Sequence, residues 1–350
     1  MYPFRIITLL QYKNLVGNNE FNSHSIKRFR STQLHQKLSI LYLVCVRPIL
    51  KIRRNRTQNP HEEVGNMDKS SIVVITGANS GIGKATSIEL AKTGAVIVML
   101  CRSKERGEEA LQDVRDLSGN NSVELMLCDL GSLKSIRDCC LEFKKKYQQL
   151  NVLINNAGVI LPGYHQTADG YEHHFGVNHL GHFLLTNELL DILIASAPAR
   201  VINVTSGIHK TGKIYFEDVN LKKNYTFWRA YAQSKLANII FTYELSERLS
   251  ETDVTANCLH PGAVATNMGI NRDTGFGTFI TRLLKPFFQT SKHGAETAIY
   301  LATSNDIEGV TGRYFYRKRS VTSSKRSYDK ATAKKLWDLS KKMVEFDGLS

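Results

Sequence analysis

From residue 71 onward, short continuous apolar runs alternate with longer stretches that carry apolar residues at helical spacing. The runs are "SIVVITG" (71–77), "AVIVMLC" (95–101), "SVELMLCDL" (122–130), "NVLINNAG" (151–158), "ARVINVTS" (199–206) and "VTANCLHPG" (254–262). Runs of this length, apolar on both faces, predict strands buried on both sides. Between them the pattern predicts helices: "IGKATSIELAKTG" (82–94) with Gly94 as its C-terminal stop, then about 104–117, 132–147 and 171–197, and one carrying "RAYAQSKLAN" (229–238). Strand and helix in alternation imply an α/β fold: a doubly wound, mostly parallel sheet with helices on both faces, the Rossmann arrangement. Ligands of such sheets bind at the carboxyl ends of the strands, so the residues just after each run carry the information.

After the first run comes "TGANSGIG", Thr76 to Gly83. Glycines at 77, 81 and 83 permit a tight turn and a close backbone approach, and a helix starting near Ile82 turns free N–H groups toward an anion. Thr76, Gly77, Asn79, Ser80, Gly81, Ile82 and Gly83 are the expected contacts of a dinucleotide. After the second run stands Arg102, where a site for NAD usually has an acid for the ribose 2′-hydroxyl. An arginine there suits a 2′-phosphate, with Lys84 close to the turn, and predicts NADP(H). After the third run, Asp129 either accepts from an adenine amino group or caps the next helix, a task Ser132 can do equally well. After the fourth, Asn155, Ala157 and Gly158 of "NNAG" stand where a ribose and nicotinamide pass. Asn178 is an amide in mid-helix, unfavourable by propensity and so expected to have a local task.

Tyr231 and Lys235 are four residues apart and share a helix face. Alone, the spacing fits an ordinary solvated face. With Thr205 and Ser206 after the fifth strand, the chain gathers a hydroxyl, a phenol and an ammonium at neighbouring elements. There is no G-x-S-x-G elbow and no Ser–His–acid order of a hydrolase. His173, His174, His179 and His182 cluster without the spacing of a metal site and read as polar helix and loop residues; no metal is expected. The six cysteines, Cys45, Cys101, Cys128, Cys139, Cys140 and Cys258, include no C-x-x-C pair and read as buried free thiols.

Charge separates the first part of the chain from the rest. The formal charge is +14, and residues 1–60 hold eleven Lys or Arg against Glu20, so +10 of it lies there. The remaining chain is nearly balanced, which argues against nucleic acid as a partner. Residues 1–70 form a basic leader with the short apolar run "LSILYLVCV" (38–46), nine residues where a membrane-spanning helix needs about 20. Three readings stay open: a weak membrane anchor, an Arg-rich transit segment, or disordered sequence with Met67 as an alternative start. Location follows the leader: associated with the endoplasmic reticulum or a mitochondrion, or cytoplasmic.

Taken together, T-G-x-x-x-G-I-G at 76–83, N-N-A-G at 155–158, Asn178, Ser206, Y-x-x-x-K at 231–235 and Pro261-Gly262 resemble the short-chain dehydrogenase/reductase family over about residues 70–345. "GANSGIGKAT", "TADGYEHHFGVNHLGHFLLT", "YAQSKLANIIFTYEL" and the terminal "KKLWDLS" are most similar to its retinol dehydrogenase-like branch. So is the separation of 25 residues between Ser206 and Tyr231. Thr205 departs from the family, standing where a second serine is common. The resemblance implies a single catalytic domain over 71–345. It makes Tyr231 the acid in carbonyl reduction and base in alcohol oxidation, Lys235 the charge that favours its phenolate and a holder of ribose hydroxyls, and Ser206 a donor to the substrate oxygen. It also implies that Asn178 holds a water for proton relay, that Pro261-Gly262 turn over the nicotinamide, and that Thr266 binds the carboxamide or pyrophosphate.

Near residues 263–293 the alternation lapses. "GFGTFITRLLKPFFQ" (275–289) reads either as a helix packed on the core or as an apolar substrate lid that touches a membrane surface, with Arg282 and Lys285 at its edge. A lid suits a lipophilic alcohol or carbonyl, such as a retinoid, steroid or fatty aldehyde, as the partner small molecule. The oligomeric state is left open, a homodimer included. Two alternatives to an enzyme remain: a cofactor-sensing regulatory protein on the same fold, and a membrane-tethered structural protein.

Overall fold

The strands are built from β-branched and large apolar residues, and their parallel pairing follows from helical crossovers. The structure is a computed structural model that describes residues 67–262 and 290–348. The leader to residue 66, Cys45 and residues 263–289, with Thr266 and most of the expected lid, lie outside the described residues. The described strands are β1 (Ile72–Thr76), β2 (Val96–Cys101), β3 (Val123–Leu127), β4 (Val152–Asn155), β5 (Ala199–Val204), β6 (Val254–His260), β7 (Tyr314–Tyr316) and β8 (Arg319–Ser320). They form one sheet in the order β3-β2-β1-β4-β5-β6-β7-β8. All neighbours pair in parallel except β7 and β8. The predicted fold class is observed.

The helices are α1 (Gly81–Ala91), α2 (Lys104–Ser118), α3 (Leu133–Lys146), α4 (His173–Phe175), α5 (Gly181–Glu188), α6 (Leu190–Ala195), α7 (Phe227–Arg248), α8 (Ser291–Thr303) and α9 (Lys330–Met343). Three of the expected helices match to within a residue or two. Gly94, expected as the stop of α1, has φ +92°, and Gly119 ends α2 at φ +68°. The stretch expected as one helix over 171–197 is instead α4, a π-helical turn at Gly176–Leu180, α5, and α6 after a break at Leu189. β7 and β8 are too short, at three and two residues, to leave a periodic trace in the sequence. Ser291, expected within the lid region, begins α8, capped by the Thr290 hydroxyl.

Two cores sandwich the sheet. Val73, Ile75, Ile97, Met99 and Ile154 face one side with Leu90 of α1, Val114 of α2 and Ala298 of α8. Val74, Val98, Leu153 and Val201 face the other with Phe143 of α3, Phe183 of α5, Phe241 of α7 and Trp337 of α9. The chain leaves β1 toward β2 and β3, then returns to β4 on the far side of β1. The carboxyl ends of β1 and β4 therefore border the crevice where such sheets bind ligands.

Trp337 closes the second core. Its ring lies 5.0 Å edge-on from Phe183 and 5.9 Å from Phe241, and the Arg248 guanidinium sits 4.3 Å over it. Trp337→Ala is expected to lower the unfolding free energy by about 3–5 kcal/mol, measured by urea denaturation. A loss under about 1 kcal/mol would show that α9 is not part of the core.

Candidate active site

Strand β1 ends on Thr76, and its hydroxyl is a junction. Thr76 Oγ1 accepts the N–H groups of Asn156 and Ala157, both at 2.9 Å, and lies 2.9 Å from His182 Nε2. His182 Nδ1 faces the Asn178 carbonyl at 3.0 Å. A carbonyl only accepts, so the ring proton is on Nδ1, and Nε2 accepts from the threonine. Burial lowers the His182 pKa to about 4, in keeping with a neutral ring. The glycine turn, the end of β4 and α5 are thus joined through one hydroxyl.

The turn that follows has room for nothing larger than glycine at two places. Gly77 has φ +64°, and a Cβ there would lie 2.9 Å from Ala157 Cα. A Cβ on Gly83 would come within 2.4 Å of the Gly77 carbonyl oxygen. Ser80 stands at the N-cap of α1 without a side-chain cap bond, and the first turn has no acid. Three orphan N–H groups and the positive dipole end then remain for an anion, which fits the pyrophosphate of a dinucleotide.

At the end of β4 the two asparagines part. Asn155, expected at the cofactor, points into the sheet layer: its Nδ2 donates to Thr186 Oγ1 at 2.9 Å and Asn203 Oδ1 at 2.8 Å, and the residue is buried. Its amide N–H groups are thereby committed to the sheet layer. Asn156, which sequence reasoning did not single out, donates to the Thr76 carbonyl at 2.8 Å and holds the two strand ends together. Ala157 and Gly158 follow on the partly buried surface of the crevice.

Asn178 sits in the π-helical turn with no exposed surface. Its Oδ1 accepts the Val159 N–H at 2.7 Å, and its Nδ2 donates to the Val159 carbonyl at 3.2 Å and Ser234 Oγ at 3.0 Å. Both amide hydrogens are committed. The side chain is a clamp on the loop after β4.

Ser206 follows β5 and begins a 3-10 turn at Gly207–Thr211, its Oγ 3.4 Å from the Ile208 N–H. This turn is pressed on α7, since a Cβ on Gly212 would lie 2.5 Å from the Ala232 carbonyl oxygen. The neighbours of Ala232 on that helix are Tyr231 and, one turn on, Lys235. α7 is capped by Thr226, whose hydroxyl accepts the Arg229 N–H. Tyr231 is 7% exposed and Lys235 only 2%. Lys235 Nζ donates to the Val204 carbonyl at 3.0 Å and lies 5.9 Å from the Tyr231 ring centroid. Burial lowers the lysine pKa to about 8. The structure therefore brings Ser206, Tyr231 and Lys235 to one place at the end of β5.

Arg102 is exposed at the end of β2, as expected, but Lys84 is ion-paired with Asp113 of α2. Asp129 Oδ1 accepts the Gly131 N–H at 2.9 Å, while the cap of α3 is Ser132. Pro261 and Gly262 end the described stretch, Gly262 at φ +88° with its N–H 3.3 Å from His260 Nδ1. Of the histidines read as polar helix and loop residues, His174, His179 and His182 are buried in the core, each hydrogen-bonded. Their helical spacing carries no sign of burial, because a neutral hydrogen-bonded imidazole packs like an aromatic residue. The five described cysteines are free and buried. Among the described residues no group of three or more His, Cys, Asp or Glu is placed to hold a metal.

Comparison with known proteins agrees with this geometry. Residues 71–275 match the family model of short chain dehydrogenases. The chain is 45% identical to mouse retinol dehydrogenase 14 over 309 residues, 83% of this chain and 90% of the relative. It is 45% identical to mouse retinol dehydrogenase 12, over 77% of this chain and 84% of the relative. For human retinol dehydrogenase 13 the identity is 42%, over 79% and 86%. Among solved structures, an uncharacterised protein from Mycobacterium paratuberculosis superposes with a TM-score of 0.65 at 34% identity, over 80% of this chain and 95% of that one. The chain is thus a relative of the retinol dehydrogenases and belongs to the short-chain dehydrogenase family of oxidoreductases.

Proposed function

We propose that the protein is an NADP(H)-dependent oxidoreductase acting on a lipophilic alcohol or carbonyl, with reduction the favoured direction. The observation that carries the reading is the buried ammonium of Lys235, held by the Val204 carbonyl beside the ring of Tyr231. A free phenol has a pKa of about 10. A cation in surroundings of low polarity favours its ionised form far more than a solvated one does, so Tyr231 can pass a proton near neutral pH. Tyr231 gives that proton to the substrate oxygen in reduction and takes it back in oxidation. Ser206 donates to the same oxygen where negative charge develops.

When bound, the dinucleotide supplies or accepts the hydride at its nicotinamide. The free main-chain N–H groups of Gly81 to Gly83 at the start of α1 would hold its pyrophosphate, Arg102 its 2′-phosphate, and Asp129 its adenine. Ala157, Gly158, Pro261 and Gly262 would border its nicotinamide end, and Lys235 would hold its ribose. Support for a lipophilic substrate is twofold. The relatives named above are retinol dehydrogenases. Phe227 and Trp228, with ring centroids 4.5 Å apart, are partly exposed at the start of α7, one turn before Tyr231. Among the described residues no helix is long and apolar enough to cross a membrane. Contact with a membrane surface through residues 275–289 is part of the proposal.

Tyr231→Phe is expected to cut turnover of lipophilic aldehydes by about 10²–10⁴-fold, followed by nicotinamide absorbance, with NADPH binding intact. Retained turnover removes Tyr231 from the role. Wild-type protein that binds NADPH tightly yet turns over no member of a panel of retinoid, steroid and fatty carbonyls is a cofactor sensor instead.

Arg102→Asp is expected to weaken NADPH binding on the order of ten- to a hundredfold, the worth of a charged hydrogen-bond pair. NADH binding should be unchanged or improved. Equal NADPH affinity in the two proteins, measured by fluorescence titration, overturns the choice of NADP(H).

A further inference from the structure

One fully buried carboxylate–imidazole pair has no part in the proposed chemistry. Glu172 and His174 have no exposed surface, and Glu172 Oε1 lies 2.7 Å from His174 Nδ1. The carboxylate also caps α4, accepting the N–H of His174 at 3.0 Å and of Phe175 at 2.8 Å. The other ring nitrogen, His174 Nε2, lies 3.0 Å from the Leu161 N–H. A backbone N–H only donates, so Nε2 presents its lone pair and the ring proton is on Nδ1, facing the carboxylate. Glu172 accepts three N–H groups, and that satisfaction is what allows a charge to be buried at this depth.

The pair stands beside the proposed acid. The rings of His174 and Tyr231 are 6.3 Å apart at 64°, the edge-to-face arrangement of packed aromatics. His174 and Asn178 are four residues apart and hold the same loop, His174 at Leu161 and Asn178 at Val159. A second loop converges there: Asn220 Oδ1 accepts the Glu172 N–H at 2.8 Å, and Tyr225 Oη lies 3.4 Å from Glu172 Oε1.

We propose that Glu172 and His174 form a positioning pair for this active site: the carboxylate fixes which ring nitrogen carries the proton, and the imidazole then fixes the loop after β4 beside Tyr231. The inference rests on Tyr231 being the acid. Neither residue touches the substrate in this account. They act by holding Leu161, and with it the wall against which substrate and nicotinamide meet Tyr231, where a small misplacement costs rate.

Two variants of the full chain divide the imidazole's two bonds. In His174→Gln the side-chain oxygen can take the place of Nε2 and still accept from Leu161, while the link to Glu172 is lost. In His174→Asn the amide can take the place of Nδ1 and still donate to Glu172, while Leu161 is released. Each breaks one buried bond, so melting temperatures should fall alike. The Asn variant is expected to lose about tenfold or more in kcat, and the Gln variant to stay within about threefold of wild type. Equal losses of kcat in the two variants, or a better Asn enzyme, overturn the proposal, since simple packing gives no such split. If either variant fails to fold, nitrogen-15 NMR of the labelled wild-type protein decides. His174 is expected as the neutral Nδ1–H tautomer at neutral pH, and an Nε2–H tautomer or an imidazolium overturns the pair. Failure of the functional reading shows separately, as turnover by Tyr231→Phe, which leaves the tautomer result untouched.

Discussion

The geometry of the site hangs on the hydroxyl of Thr76. A parallel sheet opens a crevice where its strand order reverses, here between β1 and β4, and something must hold the two strand ends at a fixed separation. Thr76 Oγ1 does so with every hydrogen-bonding site it has, accepting from Asn156 and Ala157 and donating to His182. Valine would fill the same volume and leave the Ala157 N–H and an imidazole nitrogen without partners, each a loss of about 1–3 kcal/mol. The glycine turn then needs no room of its own. Gly83 lets α1 start against the Gly77 carbonyl, and Asn156 ties that carbonyl end to β4.

Histidine is the repeated device around that junction. His182 links the Asn178 carbonyl to Thr76, His174 links Glu172 to Leu161, and His209 links the Ser206 carbonyl, at 2.7 Å, to the Ser324 N–H, at 3.2 Å. In each, one ring nitrogen donates and the other accepts, which only a neutral imidazole can do in a single rigid plane. Burial lowers the pKa of His182 and His209 to about 4, so both links persist unprotonated at neutral pH. Asparagine extends the same logic through the layer below: Asn155 reaches Thr186 and Asn203, and Asn203 reaches Thr242 of α7. Such a network fixes the register between β4, β5 and α7 more narrowly than apolar packing alone, because slippage would strand polar groups.

The strands and helices of the sheet were readable because burial on both faces leaves a continuous apolar run, and the glycine turn because its context, strand before and helix after, is local. The tyrosine and lysine were readable as a pair through helical spacing, and as chemistry through their company with Ser206 and Asn178. What stayed hidden depends on partners distant in sequence. Nothing near Asn155 tells that its amide meets Thr186 and Asn203, nothing near Lys84 tells that it meets Asp113, and the break of 171–197 into α4, a π turn, α5 and α6 has no periodic signature. Asn178 shows the boundary well. Its poor helix propensity marked a local task, but the task, a clamp on Val159, is set by where β4 ends.

Burial also changes what a spacing of four residues means. On a solvated helix, a lysine one turn from a tyrosine perturbs it little, since water and salt screen the charge. Lys235 has lost that water. Its pKa is drawn down to about 8 by desolvation, so the ammonium is still the main form at neutral pH but is held at a cost. The same low polarity that makes the charge costly carries its field to the neighbouring phenol with little loss. The Val204 carbonyl holds the cation at the end of β5, next to Thr205 and Ser206, so its position is fixed by the sheet and not by the helix alone. Substituting arginine for Lys235 would keep the charge but place a planar, larger group where one carbonyl and a compact ammonium now fit. The constraint on this position is therefore one of size as well as sign, and it originates in the sheet that encloses it.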